Sequence, residues 1–435
     1  MQDGPSEGRL SEWLDGIARP CPKSFNAARY CIGAEAPRLP EKEALLAVDA
    51  AVDRVRRWSF AEAAQTVLRA CGALRNAGVR QGDSVVILLG DIPEFPFAYF
   101  GAIAAGGIAT PLSSQLTRAE IESIIRDTEP KVVLAHDLKL DAGQAAVMDV
   151  DALFAGPEGA FAETQADDPA LLVFTSGSSG RPKGVLHAHR AFWARQSMHA
   201  GWHGIAADDR IMHAGAFNWT FTLGVGLTDA WSVGATAILN AGARTPDVWP
   251  QLVARHEPTV FAAAPAVIRR ILKYGTGLET AFASLRHAVT AGEKLAPVIA
   301  EAWRAETGKP LLEALGMSEV STYVSTPPDR TAIPGHAGWP QPGRRVAVLD
   351  KAGARVPFGS VGELAVHSGD PGLMLGYWRR PDLTQAAYRG DWFVTGDLVT
   401  MREDGAIAFA GRGDDQMNAQ GYRVDPHEVE AALSR

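Results

Sequence analysis

Three short, nearly unbroken apolar runs, Ser84–Leu89, Lys131–Ala135 and Leu171–Thr175, constrain this chain more than any other feature. A strand with one wet face alternates apolar and polar residues. These runs do not alternate, so both their faces must be buried, as in a parallel sheet covered by helices. The intervening stretches supply the helices. Ser59-Phe-Ala-Glu62 is a capping box, the spacing Val67, Leu68, Cys71, Leu74 continues one apolar face, and Gly78 stops it. Phe95 to Leu112 reads as a buried helix, since Pro96, Gly101, Gly106 and Gly107 argue against a membrane span. Phe261–Tyr274 reads as a further helix, and His287–Thr290 and Leu311–Leu315 as short strands of a second α/β layer. Beyond Pro334 the texture changes to short strands broken by Gly and Pro: Arg345–Leu349, Gly362–Val366 and Ala406–Phe409. With 435 residues, too many for one compact core, the expectation is an α/β protein. Two layered subdomains with largely parallel sheets would run to about residue 335, and a small β-rich subdomain would occupy about 336–413.

Charge and cysteine usage narrow the class of partners. The chain carries 42 Lys+Arg against 50 Asp+Glu, a net charge of −8, without a run of five like charges, which argues against nucleic-acid binding. Cys21, Cys31 and Cys71 are too few and too scattered for a disulfide framework or a cysteine zinc site, so a reducing, cytoplasmic setting is expected. Acidic residues Asp3, Glu7, Glu12 and Asp15 make the first twenty residues unlike a signal peptide or presequence.

The segment richest in chemistry follows the strand-like run at 171–175. Gly177, Gly180 and Gly184 let backbone amides converge, Thr175, Ser176, Ser178 and Ser179 add hydroxyls, and Lys183 adds one cation, a combination suited to a polyphosphate. A Gly/Ser stretch alone could be a flexible surface loop, but the Pro-Lys-Gly ending counts against that. The Walker spacing is not met, and no serine here has glycines at both −2 and +2 as a nucleophile elbow requires.

This loop resembles the phosphate loop of the adenylate-forming superfamily of acyl-CoA synthetases, luciferases and peptide-synthetase adenylation domains. Three further motifs follow in order: Leu315-Gly-Met-Ser-Glu319, Val394-Thr-Gly-Asp397, and the hinge segment from Gly411 to Val424. The resemblance extends more weakly from about Phe60 to the C-terminus, and is nearest in style to aryl or medium-chain acyl-CoA synthetases. It implies a carboxylate–CoA ligase that uses ATP, Mg²⁺ and coenzyme A and passes through an acyl-adenylate. Lys183, Glu319 and Ser318 would be catalytic, Glu319 would hold Mg²⁺, Asp397 would accept from the ribose hydroxyls, and Arg412 would reach the same sugar or the α-phosphate. Ala291, Gly292, Glu293 and Lys294 would form an adenine platform, with Glu313, Ala314, Leu315, Gly316, Met317 and Ser318 on the other side of the nucleotide.

Two positions depart from the family pattern: Leu315 stands where a tyrosine is usual, and Ser318 replaces threonine but keeps the hydroxyl. The resemblance also places a catalytic lysine in a C-terminal lid, and no residue up to Arg435 can take that role. Residues 414–435 would be the hinge, at Asp414, and a mobile stub of that lid, with slow adenylation and thiolation as the consequence. The expected partner is a small carboxylic acid, and a homodimer is allowed. Alternatives are an adenylation domain that loads a carrier protein, or a nucleotide-binding protein inactive without the lid lysine.

Other clusters have competing readings. Phe217, Trp219 and Phe221 fall where the family carries an aromatic wall of the acyl pocket, with Ala291, Gly292 and Gly316 completing it, yet three aromatics in five residues also suit plain core packing. His187, His189, His199, His203 and His213 suggest zinc, but no nearby carboxylate or cysteine completes a ligand set, so pocket-wall or helix-surface histidines are expected. Arg54, Arg56 and Arg57 read as a solvated face of a hairpin strand.

Overall fold

The computed structural model describes residues 20–49, 53–136, 140–175, 182–242 and 244–413, with the strand backbones 417–419 and 422–424. Its first sheet has seven strands. Ser84–Leu88 lies between Ile108–Pro111 and Val132–Ala135, and Pro169–Thr175 joins beyond Ile108–Pro111, all parallel as the apolar runs require. Lys183–Ala188 adds antiparallel to Pro169–Thr175, and the short strand Gly376–Tyr377, from far along the chain, closes that edge antiparallel.

A second sheet of nine strands is parallel from Glu43–Asp49 through Thr236–Asn240, Arg210–His213, Val260–Ala262 and His287–Ala291 to Leu311–Met317. Antiparallel edges flank it: Arg54–Ser59 at one end, Ser321–Ser325 and Trp339–Pro340 at the other. Arg56 and Arg57 sit exposed on the first of these edges, paired with Glu94 and Glu43. The third sheet is antiparallel, built on Val346–Leu349, Val361–His367, Trp392–Met401 and Ile407–Arg412, with Tyr388–Arg389 beside Trp392.

Local chemistry explains most boundaries. Helix Phe60–Asn76 starts with the capping box, the Glu62 amide donating to Ser59 Oγ and the Ser59 amide to Glu62 Oε2 (2.8 Å). Helix Phe95–Ala104 packs on it closely enough that a Cβ on Gly101 would lie 2.5 Å from the Ala70 Cβ. Two expectations need correction. The stretch 95–112 is that helix followed by a strand at Ile108–Pro111, separated by a turn at Gly106 (φ +85°). The stretch 261–274 is a strand end, Val260–Ala262, followed by helix Pro265–Tyr274, because proline fixes the first helical turn at 265.

Candidate active site

The site assembles where strand ends of the three sheets meet. Thr175 and Lys183 face each other in register at the loop end of the hairpin 169–188, and the loop between them, holding Ser176, Gly177, Ser178, Ser179 and Gly180, lies outside the described residues. Lys183 and His187 share one strand face, being four apart on a period of two. Opposite them, Leu311–Met317 turns back into Ser321–Ser325 with Met317 paired to Ser321, so Ser318, Glu319 and Val320 form the turn. Gly316 is required there: a Cβ would lie 2.6 Å from the Ser321 carbonyl oxygen. The two elements join through side chains. Lys183 Nζ lies 3.1 Å from Glu319 Oε1, and His187 donates from Nε2 to the Ser318 carbonyl (2.7 Å). Glu319 is 1% exposed, so its charge depends on the partners around it. Burial lowers the His187 pKa to about 4, which keeps the ring neutral.

The 311–325 hairpin also reaches the Val394-Thr-Gly-Asp397 segment. Asp397 stands in register opposite Arg412 on adjacent antiparallel strands, and Arg412 Nη1 donates to Asp397 Oδ1 (2.7 Å). Tyr323, from the strand after the Glu319 turn, donates to Asp397 Oδ2 (3.4 Å), and the Asp397 amide donates to Thr395 Oγ1 (3.1 Å). On the adenine-platform side, Thr290 and Ala291 run in register beside Glu313 and Ala314, and Gly292 (φ +95°) turns the chain out of the strand. The Leu295 amide donates to Glu313 Oε1 (2.9 Å), and burial raises the Glu313 carboxyl to about 7. Lys294 reaches the Phe409 carbonyl (3.3 Å), and Glu293 and Leu315 are half-buried nearby in sequence. Asp414 lies outside the described residues.

The aromatic segment divides. Phe217 is buried, stacked on Phe95 (5.1 Å) and against His213 (4.6 Å), whereas Trp219 is half-buried at the start of a helical turn. Among the histidines one expectation is corrected: a carboxylate does join His199 and His203, because the fold brings Asp229 beside them. Asp229 and His203 are nonetheless engaged without an ion, although the buried His199 Nε2 has no hydrogen-bond partner among the described residues. Arg195 donates to both Asp229 oxygens (2.6 and 2.7 Å), and His203 donates from Nε2 to Asp229 (3.2 Å) while its Nδ1 accepts from the Ile205 amide. Burial opposes ionisation of Asp229, but the Arg195 guanidinium outweighs it and holds the carboxyl well below the usual range. A guanidinium on both oxygens repels a divalent cation. Arg195 also donates to Ser321 Oγ (2.7 Å), bracing the base of the Glu319 turn at a residue with φ +67°.

Sequence reasoning missed Tyr377, Tyr323, His187 in this role and Arg195. Each acts through a contact made only in three dimensions. Tyr377 is 58 residues from Glu319 and 194 from Lys183, yet its hydroxyl donates to Glu319 Oε1 (2.8 Å) and accepts from Lys183 Nζ (3.1 Å).

An acidic turn facing a lysine at a phosphate-type loop, with a ribose-type aspartate nearby, defines a nucleotide-dependent enzyme of the adenylate-forming type. Residues 33–378 match the family model described as AMP-binding enzyme, and the chain belongs to that family. It is 30% identical over 429 residues to a 3-hydroxybenzoate–CoA ligase of Aromatoleum sp. (strain CIB), covering 94% of this chain and 81% of that protein. Among solved structures it resembles the anthranilate CoA ligase AuaEII in complex with anthranoyl-AMP (TM-score 0.84, 27% identity, 95% of this chain and 83% of that one). It also resembles ATP-bound MatB from Rhodopseudomonas palustris (TM-score 0.83, 28% identity, 94% and 83%). The chain is an AMP-forming acid–CoA ligase: a carboxylate and ATP give an acyl-adenylate and pyrophosphate, and the thiol of coenzyme A then displaces AMP.

Proposed function

We propose that the acid is an aromatic carboxylate of the benzoate or hydroxybenzoate class, and that the motifs divide the nucleotide between them. Lys183 and the 175–180 loop hold the phosphates, Asp397 and Arg412 the ribose, and Ala291–Lys294 with Glu313–Ser318 the adenine. Negative charge moves onto the departing pyrophosphate as an anionic carboxylate approaches an anionic centre, so the task is charge stabilisation, for which Lys183 is the cation at hand. Glu319 would hold Mg²⁺, which takes few protein ligands and shares phosphate oxygens; when bound it neutralises phosphate charge. One buried carboxylate beside a movable lysine fits that demand.

The observation that carries the reading is the meeting of Lys183 and Glu319 from separate motifs at 3.1 Å. For the acid, support comes from the aromatic segment 217–221 and from relatives named as 3-hydroxybenzoate and benzoate ligases. Among the described residues no helix is long and apolar enough to cross a membrane, and all three cysteines are free, which favours the cytoplasm. Pyrophosphate release measured over benzoate, hydroxybenzoates, aminobenzoates, malonate and short to medium fatty acids tests the assignment. Aromatic acids should give the highest kcat/KM, and a preference for malonate or fatty acids would overturn it.

A further inference from the structure

Tyr377 is placed with unusual firmness for a residue outside the recognised motifs. Its strand pairs with Lys183–Ala188, Tyr377 opposite Val185, and the flanking amides of Leu375 and Trp378 donate to Leu186 (2.7 Å) and Gly184 (2.8 Å). The Tyr377 amide donates to Thr384 Oγ1 (2.9 Å), and the amide of Met374 donates to the Glu319 carbonyl (2.8 Å). The backbone around Tyr377 is therefore tied to both strands that present the phosphate end. Its ring lies under the lysine, with Nζ 4.4 Å from the centroid, and its hydroxyl sits between Lys183 and Glu319.

A phenol can donate and accept at once and carries no charge near neutral pH, so it can bond both members of an ion pair without joining it. Glu319 is too buried to be left with fewer donors at no cost, and Lys183 must leave it to reach a phosphate. We infer that Tyr377 is a positioning residue that keeps a donor on Glu319 while Lys183 transfers to the nucleotide, lowering the cost of MgATP binding. This inference rests on the placement of the phosphates at Lys183.

The test compares AMP and MgATP affinities by calorimetry for the full chain, Tyr377→Phe, Lys183→Ala and the double variant. Tyr377→Phe keeps the ring and removes only the hydroxyl. MgATP affinity should fall about tenfold, in line with losing a hydrogen bond to a charged group, with AMP affinity unchanged. In the Lys183→Ala background the same change should have no further effect, because nothing remains to transfer. Equal losses for AMP and MgATP, unchanged or tighter MgATP binding, or a full tenfold loss in the double variant would each overturn the inference. If Lys183→Ala weakens MgATP but Tyr377→Phe does not, the tyrosine assignment alone fails. If Lys183→Ala leaves MgATP affinity intact, the phosphate placement fails and the inference with it.

Discussion

The proposed phosphate end and the proposed ribose end of this site each hold a carboxylate and a cation, but they are built differently. Asp397 and Arg412 are 15 residues apart on neighbouring antiparallel strands, so one β-ladder sets their meeting, and both side chains are almost closed to solvent at 8% and 10%. Lys183 and Glu319 come from different sheets, and Lys183 keeps 22% exposure. A pair set by register is rigid and serves to hold one shape. A pair made across sheets, with a long flexible lysine and a phenol between, can exchange partners. On the proposed placement, the ribose end would be a fixed anchor and the phosphate end a movable one.

The largest effect expected from this contrast is on stability. Arg412→Ala leaves Asp397 buried without its counter-charge and with a long bond from Tyr323 (3.4 Å), and should cost about 3–5 kcal/mol in chemical denaturation, whereas Lys183→Ala should cost less, because the lysine is more exposed and Tyr377 still donates to Glu319 at 2.8 Å. Equal losses would break the distinction. The second expectation concerns rate: Lys183→Ala should slow pyrophosphate release by about 10²–10³, the usual loss for one electrostatic donor, without a comparable change in AMP affinity.

A third expectation is the pH dependence of the two flanks. His187 titrates near 4 when folded and near 6.5 when unfolded, so the unfolded chain binds the proton first. Its contribution of about 3 kcal/mol is present above pH 6.5 and lost as pH falls towards 4. Glu313 has the opposite sign. Its folded value near 7 lies above its unfolded 4.5, so a similar contribution is present below 4.5 and lost as pH rises through 7. Melting curves from pH 4 to 8 should therefore flatten on the acid side in His187→Gln and on the neutral side in Glu313→Gln. The smallest effect expected is for Ser321→Ala, which removes the brace from Arg195 to the Glu319 turn and should cost about 1 kcal/mol in denaturation.

Legibility followed the range of the interactions. The parallel strands at 84, 131 and 171 and the capped helix at 60 were legible because apolar runs and capping boxes act within a few residues. Val260–Ala262 was absorbed into a helix because a short apolar run has no decisive period; Pro265 was the available signal. The motif residues Lys183, Glu319 and Asp397 could be named from the chain, but Tyr377, Tyr323 and Asp229 could not, since only the sheet edges and the turn at 318–320 bring them in.

The central claim, an anchored ribose end and a movable phosphate end, is tested most directly by calorimetry of AMP and MgATP on Asp397→Ala and Lys183→Ala. Asp397→Ala should weaken both ligands alike, by about 2–3 kcal/mol, because both carry the ribose. Lys183→Ala should weaken MgATP and spare AMP. If Asp397→Ala leaves AMP affinity unchanged, or if the two variants affect the two ligands in the same ratio, the division is contradicted.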